Sequence, residues 1–207
     1  GHVFSAQVSL FLNRIENYIF SHRIDQVVDP DYRTFSYTQG DAVLKGFEVS
    51  ADFHPIHRLH FGNSFSFVDA RQLHQQEDTR YLPMTPAPHW TSDLKYEITH
   101  KGQVFNNAYV AIGLECNLAQ NHYYKVDDTE TRTPSYTLLN LSAGTDLNIR
   151  HKKVAEIYIT ADNLLNRAYQ NHLSRLKYCD INNATGRQGV YNMGRNVVFK
   201  VVLPISL

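Results

Sequence analysis

Apolar and polar positions alternate with a period of two along most of this chain. Val110, Ile112, Leu114, Cys116 and Leu118 oppose Ala111, Gly113, Glu115, Asn117 and Ala119. Phe47, Val49, Ala51 and Phe53 likewise oppose Glu48, Ser50, Asp52 and His54, while Trp90, Leu94, Tyr96 and Ile98 oppose Asp93, Lys95 and Glu97. Leu139, Leu141, Ala143, Thr145, Leu147 and Ile149 face away from Leu138, Asn140, Ser142, Gly144, Asp146 and Asn148. Near the end, Val197, Phe199, Val201, Leu203, Ile205 and Leu207 alternate with Asn196, Val198, Lys200, Val202, Pro204 and Ser206. Strand side chains point to opposite faces in turn, so each segment predicts a long strand with one apolar and one polar face.

Eight strands are predicted, over Val3 to Phe20, Tyr32 to His54, Arg58 to Leu73, Pro88 to His100, Val104 to Tyr124, Ser135 to Arg150, Val154 to Asn166 and Arg195 to Leu207. Connections after the second, fourth and sixth are tight: Pro55 to His57, Lys101 to Gln103 and His151 to Lys153. The others are long, and the longest runs from Arg167 to Gly194. Short turns on one rim, long loops on the other and a two-residue repeat predict antiparallel up-and-down strands of a transmembrane β-barrel. A soluble lipocalin-like barrel or sandwich also alternates, but strands this long, loops sorted this way and polar faces rich in Gly, Ser, Asn and Asp favour a water-filled lumen.

Composition narrows the reading. With 20 Lys plus Arg against 20 Asp plus Glu the formal charge is zero, which excludes a broad basic footprint for nucleic acid. The longest run without Asp, Glu, Lys, Arg or His goes from Thr133 to Thr145, too short for a membrane-spanning helix of roughly 20 residues. The chain opens at Gly1, His2 and Val3 already in strand pattern, so it reads as a fragment that starts inside a larger protein.

Catalytic signatures such as G-x-S-x-G, Walker A, H-E-x-x-H and G-x-G-x-x-G are absent from the sequence. His54, His57 and His60 have a helical metal-ligand spacing, but Pro55 makes the segment a turn between strands, and it reads as solvated. Asp127, Asp128 and Glu130 carry oxygens suited to a hard cation and read as a solvated loop. Cys116 falls on an apolar strand face and Cys179 in the long last loop, so no bridge between them is expected.

The stretch from Ala161 through Asp162, Asn163, Leu164, Leu165, Asn166, Arg167, Ala168 and Tyr169 is followed by His172 to Lys177, by Gly194, Arg195, Asn196 and Val197, and by a closing amphipathic strand. It resembles the C-terminal end of TonB-dependent outer-membrane receptors. Lys45-Gly46-Phe47-Glu48, Tyr81 to Pro88, and Pro134 to Asn140 agree with that family's pattern in the same order. The resemblance covers nearly the whole chain. It implies an all-β chain, residues 1–207, forming the last eight of about 22 barrel strands in the bacterial outer membrane, without the plug domain and TonB box. Leu207 departs from the aromatic that usually ends such chains.

The resemblance implies no enzyme and no cofactor, but TonB-dependent uptake of a scarce nutrient, with an iron chelate or haem favoured. Expected partners are the N-terminal plug, the TonB coupling complex, outer-membrane lipid and a small-molecule ligand, with no nucleic acid. Strand parity places Gln72, His74, Asn121 and Tyr123 at the polar outer mouth, and the loops add Arg80, Arg132, Arg167, His172 and Arg175. Arginine and histidine there suit carboxylate-bearing ligands. A self-contained eight-stranded outer-membrane barrel with a structural or adhesion role is the alternative, in which the first strand pairs with the last.

Overall fold

A computed structural model describes residues 3–25, 32–150 and 152–204. One antiparallel sheet of eight strands runs through them in sequence order: β1 (Phe4–Arg23), β2 (Phe35–Ile56), β3 (Leu59–Gln72), β4 (His89–Thr99), β5 (Phe105–Asn117), β6 (Tyr136–Ile149), β7 (Lys152–Asp162) and, after the long loop, β10 (Asn196–Val202). Inside that loop a small hairpin joins β8 (Ile181–Asn182) to β9 (Arg187–Gln188), an element the sequence pattern is too short to reveal.

Register settles which face is which. Phe4, Phe53, Phe61, Leu94, Ile112, Leu141, Ala161 and Val197 are successive cross-strand partners, so one apolar row crosses all eight strands. Far from being a core, that row is open: Phe4 is 60% exposed, Phe61 38%, Ile112 40% and Val197 63%. Val110, Leu114, Phe199, Val201 and Leu203 are exposed on the same face. Eight contiguous strands with exposed large apolar side chains on one side, Ile159 supplying that of β7, make a surface for lipid, not for water. Glu115, Asn117 and Asp146 point to the opposite, concave side with Glu48, Ser66 and His89. The soluble sandwich is thereby overturned, because the apolar residues do not converge on a closed interior.

Strands β1 and β10 lie at the two edges of the sheet and do not pair with each other among the described residues. The self-contained eight-stranded barrel, which required that pairing, is overturned as well.

Boundaries follow backbone chemistry. The sequence extends the fifth strand to Tyr124, yet β5 ends at Asn117. Leu118 N–H still reaches the Pro88 carbonyl at 2.9 Å, but Pro88 has no N–H to return. On the other side the β5–β6 register continues only as the Gln120–Thr133 bridge, interrupted at Pro134. The predicted positions Ile205, Ser206, Leu207 and His151 lie outside the described residues.

Two local devices shape the wall. Between Ile15 and Tyr18 the register of β1 slips, with Asn17 at φ 56° and its N–H held by Asp41 Oδ1 at 3.2 Å. This bulge re-aims the outer end of β1, so that Tyr18 and Phe20, with Leu44, pack inward on Ala42, Ala70 and Leu82. At Gly144 the rings of its two cross-strand partners, Tyr109 and Tyr158, close over the backbone, and a Cβ there would stand 2.7 Å from each.

Candidate functional site at the outer mouth

The long connections all lie beyond the same ends of the strands, and they pack on one another through buried polar groups. Glu130, from the β5–β6 loop, is 3% exposed; its Oε1 accepts the Met84 N–H at 2.6 Å and its Oε2 lies 3.4 Å from His172 Nε2. His172 is 2% exposed and its Nδ1 is 2.8 Å from Thr133 Oγ1. The Tyr178 hydroxyl donates to the His172 carbonyl at 2.8 Å. Lys177 Nζ donates to Thr131 O and Oγ1, both at 2.9 Å, and to Arg132 O at 3.2 Å. Three loops are thus pinned through one polar core.

Burial among neutral acceptors pushes the Lys177 ammonium down to about 8, with Glu130 pulling the other way. Burial raises the Tyr178 phenol, and Glu130 adds to the rise. Tyr169 and Tyr124 are raised by burial first, with Asp127 contributing at Tyr124.

Each sequence-nominated residue has a definite place around this core. Gln72 is buried and donates through Nε2 to the Thr79 carbonyl at 2.7 Å. His74 is exposed, at φ 58° in the turn that leaves β3. Arg80 lies 5.0 Å over the Tyr81 ring and donates to Tyr81 Oη at 3.2 Å. Arg132 Nε donates to Asn121 Oδ1 at 2.7 Å, while Tyr123 is half-buried. Arg167 and Arg175 are exposed, and neither guanidinium makes a hydrogen bond or ion pair among the described residues. His172, nominated as a mouth residue, belongs to the buried core. The structure brings His172 together with Arg175's neighbour Tyr178, but it does not gather the nine residues into one cluster.

Among the cavities of the described residues, two border the mouth and the lumen beneath it. One of about 680 Å³ lies between the outer ends of β1 and β2 and the loops, lined by Arg33, Tyr37, Glu130, Arg175 and Tyr178. The other, about 540 Å³, lies deeper and is lined by Glu48, His89, Glu115, Asn117, Tyr136 and Asn171. In it His89 Nε2 is buried, without a hydrogen-bond partner, 3.5 Å from Glu115 Oε1. Period-two parity alone marks His89 and Glu115 as lumen residues; their convergence needs the register of β4 against β5.

The acidic run of the β5–β6 loop does not converge on a cation site. Asp127 Oδ2 accepts the Arg23 N–H at 2.7 Å, Asp128 pairs with Arg23 at 3.7 Å, and Glu130 faces His172. Contrary to the solvated loop expected for them, Asp127 and Glu130 are buried. No group of three or more His, Cys, Asp or Glu gathers among the described residues. Cys116 and Cys179 are unpaired, on the lipid face and in the last loop.

The family profile described as TonB dependent receptor-like, beta-barrel, matches residues 1–164. The chain belongs to the TonB-dependent receptor family. It is an outer-membrane β-barrel chain of a receptor family, not of an enzyme family. Among solved structures it is similar to the copper transporter OprC, at 16% identity and a TM-score of 0.78, over 97% of this chain and 29% of that one. It is similar to the FrpB iron transporter from Neisseria meningitidis at 15% identity and TM-score 0.67, over 97% and 28%. The ferric-catecholate import receptor Fiu from E. coli K12 matches at 16% and 0.60, over 96% and 25%. The chain therefore spans between a quarter and three tenths of the length of these receptors.

Proposed function

We propose that this chain is the C-terminal part of a receptor barrel that surrounds an N-terminal plug and imports an iron chelate or haem with energy from the TonB complex. The observation that carries the cargo reading is the outer mouth itself. Arg167 and Arg175 are exposed with no side-chain partner among the described residues, Arg33 and Arg175 line a cavity there, and Arg80 and Arg132 stand in the neighbouring loops. Unpaired guanidinium groups favour a carboxylate-bearing or otherwise anionic cargo through charge-assisted hydrogen bonds. The similar structures include an iron transporter and a ferric-catecholate import receptor, which supports the same reading. Sugar stacking on Tyr123, Tyr124 and Tyr169 is the competing use of the mouth.

Growth of a receptor-deletion strain on single nutrients tests it. The deletion is expected to fail on one ferric chelate or on haem and to grow normally on oligosaccharides. Normal use of every iron source combined with failure on one oligosaccharide overturns it.

A further inference from the structure

The outward face of β1, β2 and β3 changes character toward its outer end. Steps of two residues from the Phe4–Phe53–Phe61 row stay on that face, and the rows pass through Val8, Val49 and Phe65, then Leu10, Phe47 and Phe67. Trp90 joins Phe65 from β4, and the Phe47 ring lies 5.7 Å from that of Phe65 and 5.9 Å from that of Phe67, so the apolar rows end in a group of aromatic side chains. The next two rows are Leu12, Lys45 and Asp69, then Arg14, Val43 and Arg71. From Phe61 to Arg71 on β3, at about 3.3 Å per residue and a tilt of roughly 40°, the rise is about 25 Å, the height of an outward apolar band. Aromatic girdles mark the edges of such a band, so Lys45, Arg14 and Arg71 stand at the level of the lipid headgroups.

Their charges are only partly answered by the protein. Arg14 is exposed and makes no hydrogen bond or ion pair among the described residues. Lys45 is exposed, with Nζ 3.8 Å from Asp69 Oδ2, too far for a hydrogen bond. Arg71 donates through Nε to Asp69 Oδ1 at 2.8 Å, and its Cζ lies 5.4 Å from the Tyr81 ring, which also carries Arg80 at 5.0 Å. A single covered carboxylate, that of Asp69, thus serves two cations. Asp41, one step further out on β2, has Oδ1 engaged by the Asn17 N–H, and Glu16 stands in the same bulge. With adjacent strands about 4.8 Å apart, Arg14 and Arg71 flank Val43 and Lys45 lies between them one step nearer the membrane, so three long side chains can reach one group.

We propose that Arg14, Lys45 and Arg71 bind a phosphate of the phosphorylated glycolipid in the outer leaflet, on the lipid-facing side of the wall. Guanidinium donors match phosphate oxygens and the ammonium adds a point charge, while Phe47, Phe65 and Phe67 give the acyl chains an apolar seat. A lipid held this way ties β1 to β3 across β2 from outside the barrel. The site lies on the opposite face of the sheet from the lumen, and this inference is independent of the cargo reading.

The test uses the tag-free full-length receptor in detergent micelles, titrated with diphosphoryl lipid A and followed by native mass spectrometry. Saturable binding is expected, with the dephosphorylated lipid at least tenfold weaker. Arg14→Gln with Lys45→Gln, which leaves the Arg71–Asp69 pair intact, should weaken binding about 30-fold. Lys101→Gln with Lys152→Gln, which removes two exposed cations at the opposite rim, should leave it unchanged. Should the first variant fail to fold, the unaltered protein decides: the lipid should protect Lys45, and not Lys101, from acetylation by N-hydroxysuccinimidyl acetate. Equal binding of the two lipids, equal loss in the two variants, or acetylation of Lys45 unaffected by lipid overturns the proposal. Displacement by inorganic phosphate beyond that by chloride at the same ionic strength also overturns it, since the site would then belong to a free anion.

Discussion

His172 Nε2 lies 3.4 Å from the Glu130 carboxylate, with both side chains excluded from solvent beneath the outer loops. The same carboxylate accepts the Met84 N–H, so one acid ties the β3–β4 loop to the last loop. Glu130→Ala would leave the Met84 N–H without its acceptor, at a cost of about 1 to 3 kcal/mol to the loop cap. Glu130→Gln, which keeps one acceptor oxygen, should cost less. Hydrogen exchange at Met84 and protease cleavage within residues 163–195 measure both, and unchanged exchange in the alanine variant would refute the tie.

Lys177 gives the cap a pH dependence of definite sign. Its ammonium is held down to about 8 in the fold, so between that value and the ordinary lysine range the unfolded loop binds more protons than the folded one. Stability rises with pH wherever the unfolded state holds the extra proton. The cap should therefore tighten from pH 8 toward 10. Above 10 the raised Tyr178 phenol, still protonated in the fold while the free phenol ionises, reverses the trend. Protease sensitivity of the last loop across pH 7 to 11 should pass through a minimum, and Lys177→Met should remove the rise between 8 and 10.

Ile112 and Ser142 discriminate the two faces of the wall. Ile112 sits mid-row on the lipid face, whereas Ser142 pairs with Ala111 on the concave side. Ile112→Arg should cost about 2 to 4 kcal/mol if it lies near the bilayer midplane, and Ser142→Arg far less. Urea titrations of the refolded full-length protein in lipid vesicles give both values. Equal costs would contradict the assigned orientation.

Gly144 is held bare by two tyrosines. A methyl group added there would press on the rings of Tyr109 and Tyr158, so Gly144→Ala should destabilise by about 1 to 3 kcal/mol through overpacking. Combining it with Tyr109→Leu should recover part of the loss, since the space then opens. A purely additive double variant would show that the ring is not the obstacle.

Arg167→Ala with Arg175→Ala tests the anionic cargo directly. Each guanidinium is expected to contribute about 1.5 to 3 kcal/mol if it is desolvated against the ligand. Ligand affinity in the full-length receptor should fall accordingly while outer-membrane abundance stays constant. Unaltered affinity would show that neither arginine meets the ligand.

Much of the wall was legible because its physics is local. Val110, Ile112 and Leu114 against Ala111, Gly113 and Glu115 announce a strand and its two faces without knowledge of any neighbour. The slip at Asn17 was not legible, since it arises from a pairing with Asp41 that is distant in sequence. The mouth was harder still. Parity placed Gln72 and the loops supplied His172, but whether a loop residue faces a ligand or another loop depends on how three connections pack. His172 went to Glu130 and Thr133, and nothing in its neighbours Asn171 and Leu173 signals that choice. His54 and His60, read as solvated turn residues, are hydrogen-bonded to each other where the β2–β3 register slips, a contact that spacing alone does not show.

The strands shorten around the sheet, from 20 and 22 residues in β1 and β2 to 11 and 7 in β7 and β10. At about 3.3 Å per residue and a tilt of roughly 40°, the first hairpin reaches a height of roughly 50 Å, well beyond the hydrocarbon thickness of about 30 Å. It stands above the bilayer as a ladder whose rungs must break together if it is to bend. The low side is finished instead by the last loop, and the buried contacts of His172 and Lys177 are what hold that side to its height.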